Sequence, residues 1–141
     1  MIKSELEKLL IDTFEIKDQS TLDSLYVYYE TLVETSKVMN LTTIVELEEA
    51  YIKHFYDSLL LSKTIDLTKN LTLADVGTGA GFPGLVLKIV YPNLHVTLIE
   101  PITKRCKFLQ SVIDKLQLKD IYVINGRAED YAKNEKYREK F

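Results

Sequence analysis

The chain has 141 residues (16.3 kDa), with 18 Lys or Arg, 21 Asp or Glu and a formal net charge of −3. This length is typical of one domain, and 46% hydrophobic with 28% charged residues excludes a disordered or fibrous chain. The sequence lacks both the roughly 18-residue apolar run of a membrane span and the apolar stretch of a signal peptide, and its single cysteine excludes an internal disulfide.

The first 66 residues contain no glycine or proline, and their apolar residues recur at helical spacing. We predict about three helices, the third with a buried face formed by Ile52, Phe55, Tyr56, Leu59 and Leu60. Residues 1–66 carry 6 Lys and 13 Asp or Glu, whereas residues 67–141 carry 12 Lys or Arg and 8 acidic residues. We therefore predict an acidic N-terminal helical extension, residues 1–66, joined within one structural domain to a basic part, residues 67–141, that suits a polyanionic partner.

Short apolar runs alternate with helical patterns after residue 70. Strands are predicted at residues 71–76, 95–100 and 121–124. One helix is predicted after Pro83, which suits a first helical turn, and another over about Thr103 to Leu116. The alternation predicts an α/β fold with a parallel sheet and right-handed crossovers.

Four of the chain's five glycines, at positions 77, 79, 81 and 84, follow the first predicted strand. Glycine allows positive φ and close approach of a ligand to the backbone, and the helix that follows offers its positive N-terminus. Glu100 ends the second strand, where a carboxylate can accept hydrogen bonds from ribose hydroxyls, and residues 125–130 are placed to bracket an adenine edge. Since the carboxyl ends of parallel strands meet at one edge, we predict a nucleotide-like ligand there.

Two classes of ligand are compatible with this loop. Residues 79–84 satisfy the dinucleotide fingerprint, which keeps a nicotinamide-dependent oxidoreductase open as the alternative. However, Pro83 removes an amide from the turn that would cradle a pyrophosphate, and Asp75 places a carboxylate near it. S-adenosylmethionine carries no phosphate, and an acid beside the loop favours its sulfonium and ammonium groups. We therefore favour the methyl donor.

The run from Asp75 to Gly84 (DVGTGAGFPG), with residues 40–42 (NLT) and 54–59 (HFYDSL), resembles the small-subunit ribosomal RNA guanine-N7 methyltransferase family, also called glucose-inhibited division protein B. The resemblance covers most of the chain. It implies a Rossmann-like class I S-adenosylmethionine-dependent methyltransferase fold, of which residues 67–141 form the first half of the sheet. Because family members continue well beyond Arg138, we expect a fragment. The implied donor contacts are Gly77, Gly79, Phe82, Glu100, Ala128 and Glu129.

The substrate implied by this resemblance is a guanine in the decoding region of 16S ribosomal RNA, within the small ribosomal subunit or an assembly intermediate. Lys104, Arg105 and Arg127 are the candidate RNA contacts. Guanine N7 has an available lone pair, so its methylation requires no base and we assign no catalytic residue. A non-catalytic module that binds RNA or a partner protein is a third hypothesis.

His54 and Asp57 lie one helical turn apart, and the chain has only one other histidine. We interpret this pair as making a structural hydrogen bond beside the glycine loop, and we expect no metal site. The expected protein is a soluble cytoplasmic monomer without a membrane partner.

Overall fold

A helical N-terminal part precedes an alternation of strands and helices in the computed structural model, which describes residues 1–39 and 46–127. The first two helices are α1 (Lys3–Phe14) and α2 (Gln19–Met39). A helical segment over residues 47–63 follows, made of α3 (Leu47–Glu49), a π-helical stretch (Ala50–Tyr56), α4 (Asp57–Leu59) and a 3₁₀ turn (Leu60–Lys63). The alternating part comprises β1 (Thr72–Val76), α5 (Gly84–Val90), β2 (His95–Glu100), α6 (Thr103–Leu116) and β3 (Ile121–Asn125).

The three strands form one parallel sheet in the order β1-β2-β3. Val76 pairs with Ile99 and Glu100 pairs with Asn125, so the carboxyl ends of all three strands lie at one edge. Helices α5 and α6 make the two crossover connections between neighbouring strands. The predicted alternation and the parallel sheet are confirmed.

The N-terminal helices and the sheet share a single hydrophobic core. Helix α2 packs against both α5 and α6. Each fully buried Leu, Val or Phe in such a core contributes about 1.5–3 kcal/mol to folding. Because the buried cluster is continuous, the helices of residues 1–63 and the strands stabilise one another. Its members include Leu6, Leu10, Leu25, Leu32, Phe55, Leu59, Leu85, Val96, Leu98, Leu109 and Val112.

The predicted buried face of the third helical region is partly wrong. Ile52 and Leu60 are 37% and 40% exposed, whereas the buried aromatic and apolar residues are Tyr51, Phe55 and Leu59. Ile52 lies in the π-helical stretch, whose hydrogen bonds span one residue more than those of an α-helix, and Leu60 begins the 3₁₀ turn. Neither residue therefore lies in the regular α-helix that the prediction assumed.

Helix α5 approaches the sheet closely because its first residue is glycine. A Cβ atom at Gly84 would lie 2.6 Å from Leu98 Cδ2 and 2.8 Å from Asp75 Oδ2. The Gly84 N–H also donates to Asp75 Oδ2 at 2.9 Å. The glycine therefore allows the contact that positions the start of α5 over β1 and β2.

Within residues 1–39 and 46–127, no helix combines the length and the hydropathy needed to cross a membrane.

The close approach at Gly84 predicts that Gly84→Ala destabilises the protein by about 1–3 kcal/mol, because the new methyl group overlaps Leu98 and Asp75. Urea-induced unfolding measures this loss. Leu98→Val removes the Cδ2 atom that the methyl group would meet, so the same substitution should cost less in a Leu98→Val background. Equal costs in the two backgrounds would argue against this contact.

Candidate functional site

The glycine loop, residues 77–83, connects β1 to α5 at the carboxyl edge of the sheet. Gly77 and Gly79 have φ angles of +67° and +61°, a region in which a side chain costs roughly 1–2 kcal/mol. A Cβ atom at either position would meet nothing within 4 Å. These two glycines are required by the backbone conformation, and open space lies beside them.

Most amide groups of the glycine loop donate to acceptors within the protein. The Gly77 N–H donates to Ile99 O at 2.8 Å, and the Gly81 and Phe82 N–H groups both donate to Thr78 O, at 3.0 and 3.3 Å. Pro83 has no amide hydrogen, as the sequence analysis noted. The loop therefore does not present the row of outward-facing amides that holds a pyrophosphate.

The Asp75 carboxylate, at the end of β1, organises the other end of the loop. Its Oδ2 atom accepts hydrogen bonds from Thr78 Oγ1 at 2.6 Å and from the Gly84 N–H at 2.9 Å. Burial raises the pKa of Asp75 above its usual value, and these two hydrogen bonds oppose that rise. Because a carboxyl group occupies the start of α5, an anionic phosphate is disfavoured there. The nicotinamide alternative is therefore not supported.

Glu100 joins the glycine loop to the end of β2. The residue is 1% exposed, and its Oε1 accepts from the Gly79 N–H at 2.9 Å while Oε2 accepts from the Ile102 N–H at 2.8 Å. Ribose hydroxyls are its predicted partners, and within the protein its side chain accepts from two main-chain amides. A carboxylate has about four acceptor positions, so these bonds leave capacity for further donors.

Tyr28 of α2 holds the loop from the opposite side, a role that the sequence pattern does not predict. Its hydroxyl donates to the carbonyl oxygen of Ala80. Its ring packs against Phe55, Phe82 and Phe108, with centroid separations of 5.6, 5.9 and 6.2 Å. Burial, with a smaller effect from the charge of Asp75, raises the pKa of Tyr28 well above its usual value, so the phenol stays a donor.

A groove lies between the glycine loop and the helical segment of residues 47–63; we call it the His54 groove. The His54 ring stacks on Phe82 with a centroid separation of 4.5 Å and an interplanar angle of 23°. In the described part of the chain His54 and Asp57 share no side-chain hydrogen bond, so the expected structural bond is replaced by this stacking. The groove has a volume of about 450 Å³ and is lined by Lys53, His54, Asp57, Ser58, Leu60, Leu61, Phe82 and Pro83.

The structure brings together some of the predicted site residues. Gly77, Gly79 and Glu100 meet at the carboxyl edge, whereas the Phe82 side chain turns toward the N-terminal helices. Ala128 and Glu129 lie outside the described residues.

The predicted RNA contacts lie at the same edge of the sheet. Lys104 and Arg105 are in the first turn of α6, with Lys104 exposed and Arg105 half-buried, and Arg127 is exposed just after β3. The Asn125 side-chain oxygen accepts from Thr103 Oγ1 at 3.0 Å, which joins the start of α6 to the end of β3. Among residues 1–39 and 46–127, no three His, Cys, Asp or Glu side chains are grouped so that they could hold a metal ion.

Comparison with known proteins adds to this geometry. Residues 21–139 match the family described as rRNA small subunit methyltransferase G (GidB). The chain belongs to this family. The family match and the parallel sheet together confirm the expected Rossmann-like methyltransferase fold with an N-terminal helical part.

Curated relatives carry the name ribosomal RNA small subunit methyltransferase G. The chain is 46% identical over 136 residues to the protein of an Exiguobacterium strain, which covers 96% of this chain and 57% of that protein. It is 51% identical over 118 residues to the Ligilactobacillus salivarius protein, covering 82% of this chain and 49% of the relative. The chain thus spans about half the length of the curated relatives it matches.

From the hydrogen bond between the Tyr28 hydroxyl and the Ala80 carbonyl, we expect Tyr28→Phe to destabilise the protein by about 0.5–1.5 kcal/mol. The ring contacts remain in this variant, but the Ala80 carbonyl loses its donor. Urea-induced unfolding measures the change. Tyr26→Phe is the matched control, since Tyr26 is half-buried on the same helix, and its effect should stay within about 0.5 kcal/mol. Equal losses in the two variants would contradict the anchoring role.

We expect the contribution of His54 to the free energy of folding to depend on pH. Burial lowers the pKa of His54 below 6.5 and outweighs the opposing charges of Glu49 and Asp57. As pH falls, the His54 imidazole is therefore protonated earlier in the unfolded chain than in the folded chain. The stabilisation that neutral His54 gives the folded state is complete above pH 6.5 and is lost as pH falls through the folded-state pKa. We expect the free energy of unfolding, measured with urea, to fall less between about pH 8 and pH 5 in the His54→Gln variant than in the wild type. An equal loss would show that His54 does not contribute.

Proposed function

We propose that this chain binds S-adenosylmethionine beside the glycine loop and contributes to N7-methylation of a guanine in the decoding region of 16S ribosomal RNA. The observation that carries the proposal is the open space beside Gly77 and Gly79, in a loop most of whose amides donate to acceptors within the protein. Membership of the methyltransferase family supports the same assignment.

The chemistry of the loop suits a ligand that carries positive charge and no phosphate. In the described part of the chain, the carbonyl oxygens of Gly77 and Gly79 accept no hydrogen bond, so both are available to an ammonium group. Asp75 is half-buried beside the loop and adds a carboxyl group to its environment. The residues present therefore fit the donor better than they fit a dinucleotide.

Glu100 is the proposed ribose contact. Its carboxylate accepts from the Gly79 and Ile102 N–H groups, and ribose hydroxyls are proposed to share or replace the bond from Gly79. Ala128 and Glu129, which follow β3 in sequence, are the proposed adenine contacts. Phe82 remains a proposed donor contact by the family resemblance.

The chemistry needs positioning more than proton transfer. The donor supplies an electrophilic methyl group on a cationic sulfur. Guanine N7 already carries a lone pair, so no side chain of this chain has to remove a proton before attack. The protein then has to hold the methyl donor and the guanine in line. Tyr28, Asp75 and Glu100 contribute by fixing the conformation of the loop that is proposed to bind the donor.

The proposed partner is 16S ribosomal RNA in the small subunit or an assembly intermediate, methylated in the cytoplasm by a monomeric protein. Lys104, Arg105 and Arg127 are placed at the carboxyl edge of the sheet, where phosphate contacts would bring RNA toward the loop. The target base must leave its stack to reach this edge, which favours a loop or a flipped nucleotide.

A thermal-shift titration with S-adenosylhomocysteine, with NADH in parallel, tests the proposal. A ligand at 100 times its dissociation constant adds about 2.7 kcal/mol to native stability. We expect S-adenosylhomocysteine to raise the unfolding midpoint and NADH to leave it unchanged.

Gly79→Ala is the matched variant for this titration. Its methyl group meets no protein atom within 4 Å, but the positive φ of residue 79 makes alanine cost roughly 1–2 kcal/mol, so the variant should still unfold cooperatively, at a lower midpoint, and lose most of the ligand-induced shift. No shift in a cooperatively unfolding wild type, or equal shifts with the two ligands, would refute the proposed donor site.

A further inference from the structure

We propose that the His54 groove receives the acceptor guanine and that Asp57 recognises its Watson–Crick edge. This inference rests on the proposed methyl-transfer function, which it extends by assigning a place and a selecting residue to the acceptor base. The groove is not lined by Gly77, Gly79 or Glu100, and it shares Phe82 with the proposed donor contacts.

The groove adjoins the glycine loop. Phe82 and Pro83 belong to the glycine loop and also form one wall of the groove. The other wall comes from the helical segment of residues 47–63. An acceptor atom must lie next to the methyl donor for in-line transfer, and the groove shares Phe82 and Pro83 with the loop proposed to hold the donor.

The lining of the groove matches the parts of a nucleotide. The stacked rings of His54 and Phe82 provide an aromatic surface for a base. Lys53 provides a cation for a phosphate, with its side chain 70% exposed and paired only loosely to Glu49 at 3.5 Å. The volume of about 450 Å³ lies within the range of small-molecule sites.

Asp57 provides the base selectivity. It is exposed in the groove, and its carboxylate has no hydrogen-bond or ion-pair partner among residues 1–39 and 46–127. Guanine presents two adjacent donors, N1–H and the N2 amino group, and a carboxylate accepts from both at once. Adenine presents an acceptor at N1 instead. Since N7 lies on the opposite edge of guanine, this pairing leaves N7 free to react.

Binding of mononucleotides to the 141-residue chain, saturated with S-adenosylhomocysteine, tests this inference. Guanosine 5′-monophosphate and inosine 5′-monophosphate differ only in the N2 amino group, and NMR signals of the His54 and Phe82 rings report occupation of the groove. We expect the guanine nucleotide to bind about tenfold more tightly, as for a well-formed bidentate base contact. Asp57→Asn should bring this ratio close to one, because the amide turns a donor toward a donor, while affinity for S-adenosylhomocysteine stays unchanged.

Asp12→Asn is the control, because Asp12 is exposed on α1, away from the groove. It should keep the wild-type preference for the guanine nucleotide. A wild type without that preference, or an Asp57→Asn variant that retains it, would overturn the inference. Failure of S-adenosylhomocysteine to bind, with the guanine preference intact, would instead refute the donor site and leave the groove as an independent guanine site.

Discussion

The conformation of the glycine loop depends on three side chains that hold it from three elements. Asp75 of β1 and Glu100 of β2 accept amide hydrogens from Gly84 and Gly79, and Tyr28 of α2 donates to the Ala80 carbonyl. Hydrogen bonds to carboxylates contribute about 1.5–3 kcal/mol each, more than neutral ones. A loop with positive φ angles would otherwise sample many conformations, so these bonds provide the preorganisation that the proposed donor site needs.

This arrangement explains why the N-terminal helices belong to the same core as the sheet. Tyr28 reaches the loop only because α2 packs against α5 and α6, and the packing depends on the buried residues of all three helices. Phe55 extends the contact from the π-helical stretch, since its ring lies 5.6 Å from that of Tyr28. The helical part thus supports the loop directly and is not a separate appendage.

Local patterns in the sequence predicted much of the fold. The features that were not predicted depend on irregular helical geometry or on contacts between residues far apart in the sequence. The bounds of β2 and α6 agree with prediction because proline and periodicity mark them clearly. The outward positions of Ile52 and Leu60 were not predictable, since the π-helical stretch and the 3₁₀ turn that contain them depart from the assumed 3.6-residue period. The Tyr28–Ala80 bond joins residues 52 apart, and nothing in helical spacing singles out that tyrosine from its neighbours. Glu100 was placed at the correct edge, but its bond to Gly79 depends on the path of the loop.

Phe82 connects the two proposed sites physically. It lies in the glycine loop, its ring contacts Tyr28 at 5.9 Å, and it stacks on His54 in the groove at 4.5 Å. A displacement of Phe82 by either ligand therefore changes the donor loop and one wall of the groove together, because the same residue belongs to both. The rings of Tyr28, Phe55 and His54 hold Phe82 in place before any ligand is present, so this shared wall is preformed and costs neither ligand the entropy of ordering it. Any coupling between donor and acceptor through Phe82 must be equal in both directions, because thermodynamic linkage is reciprocal.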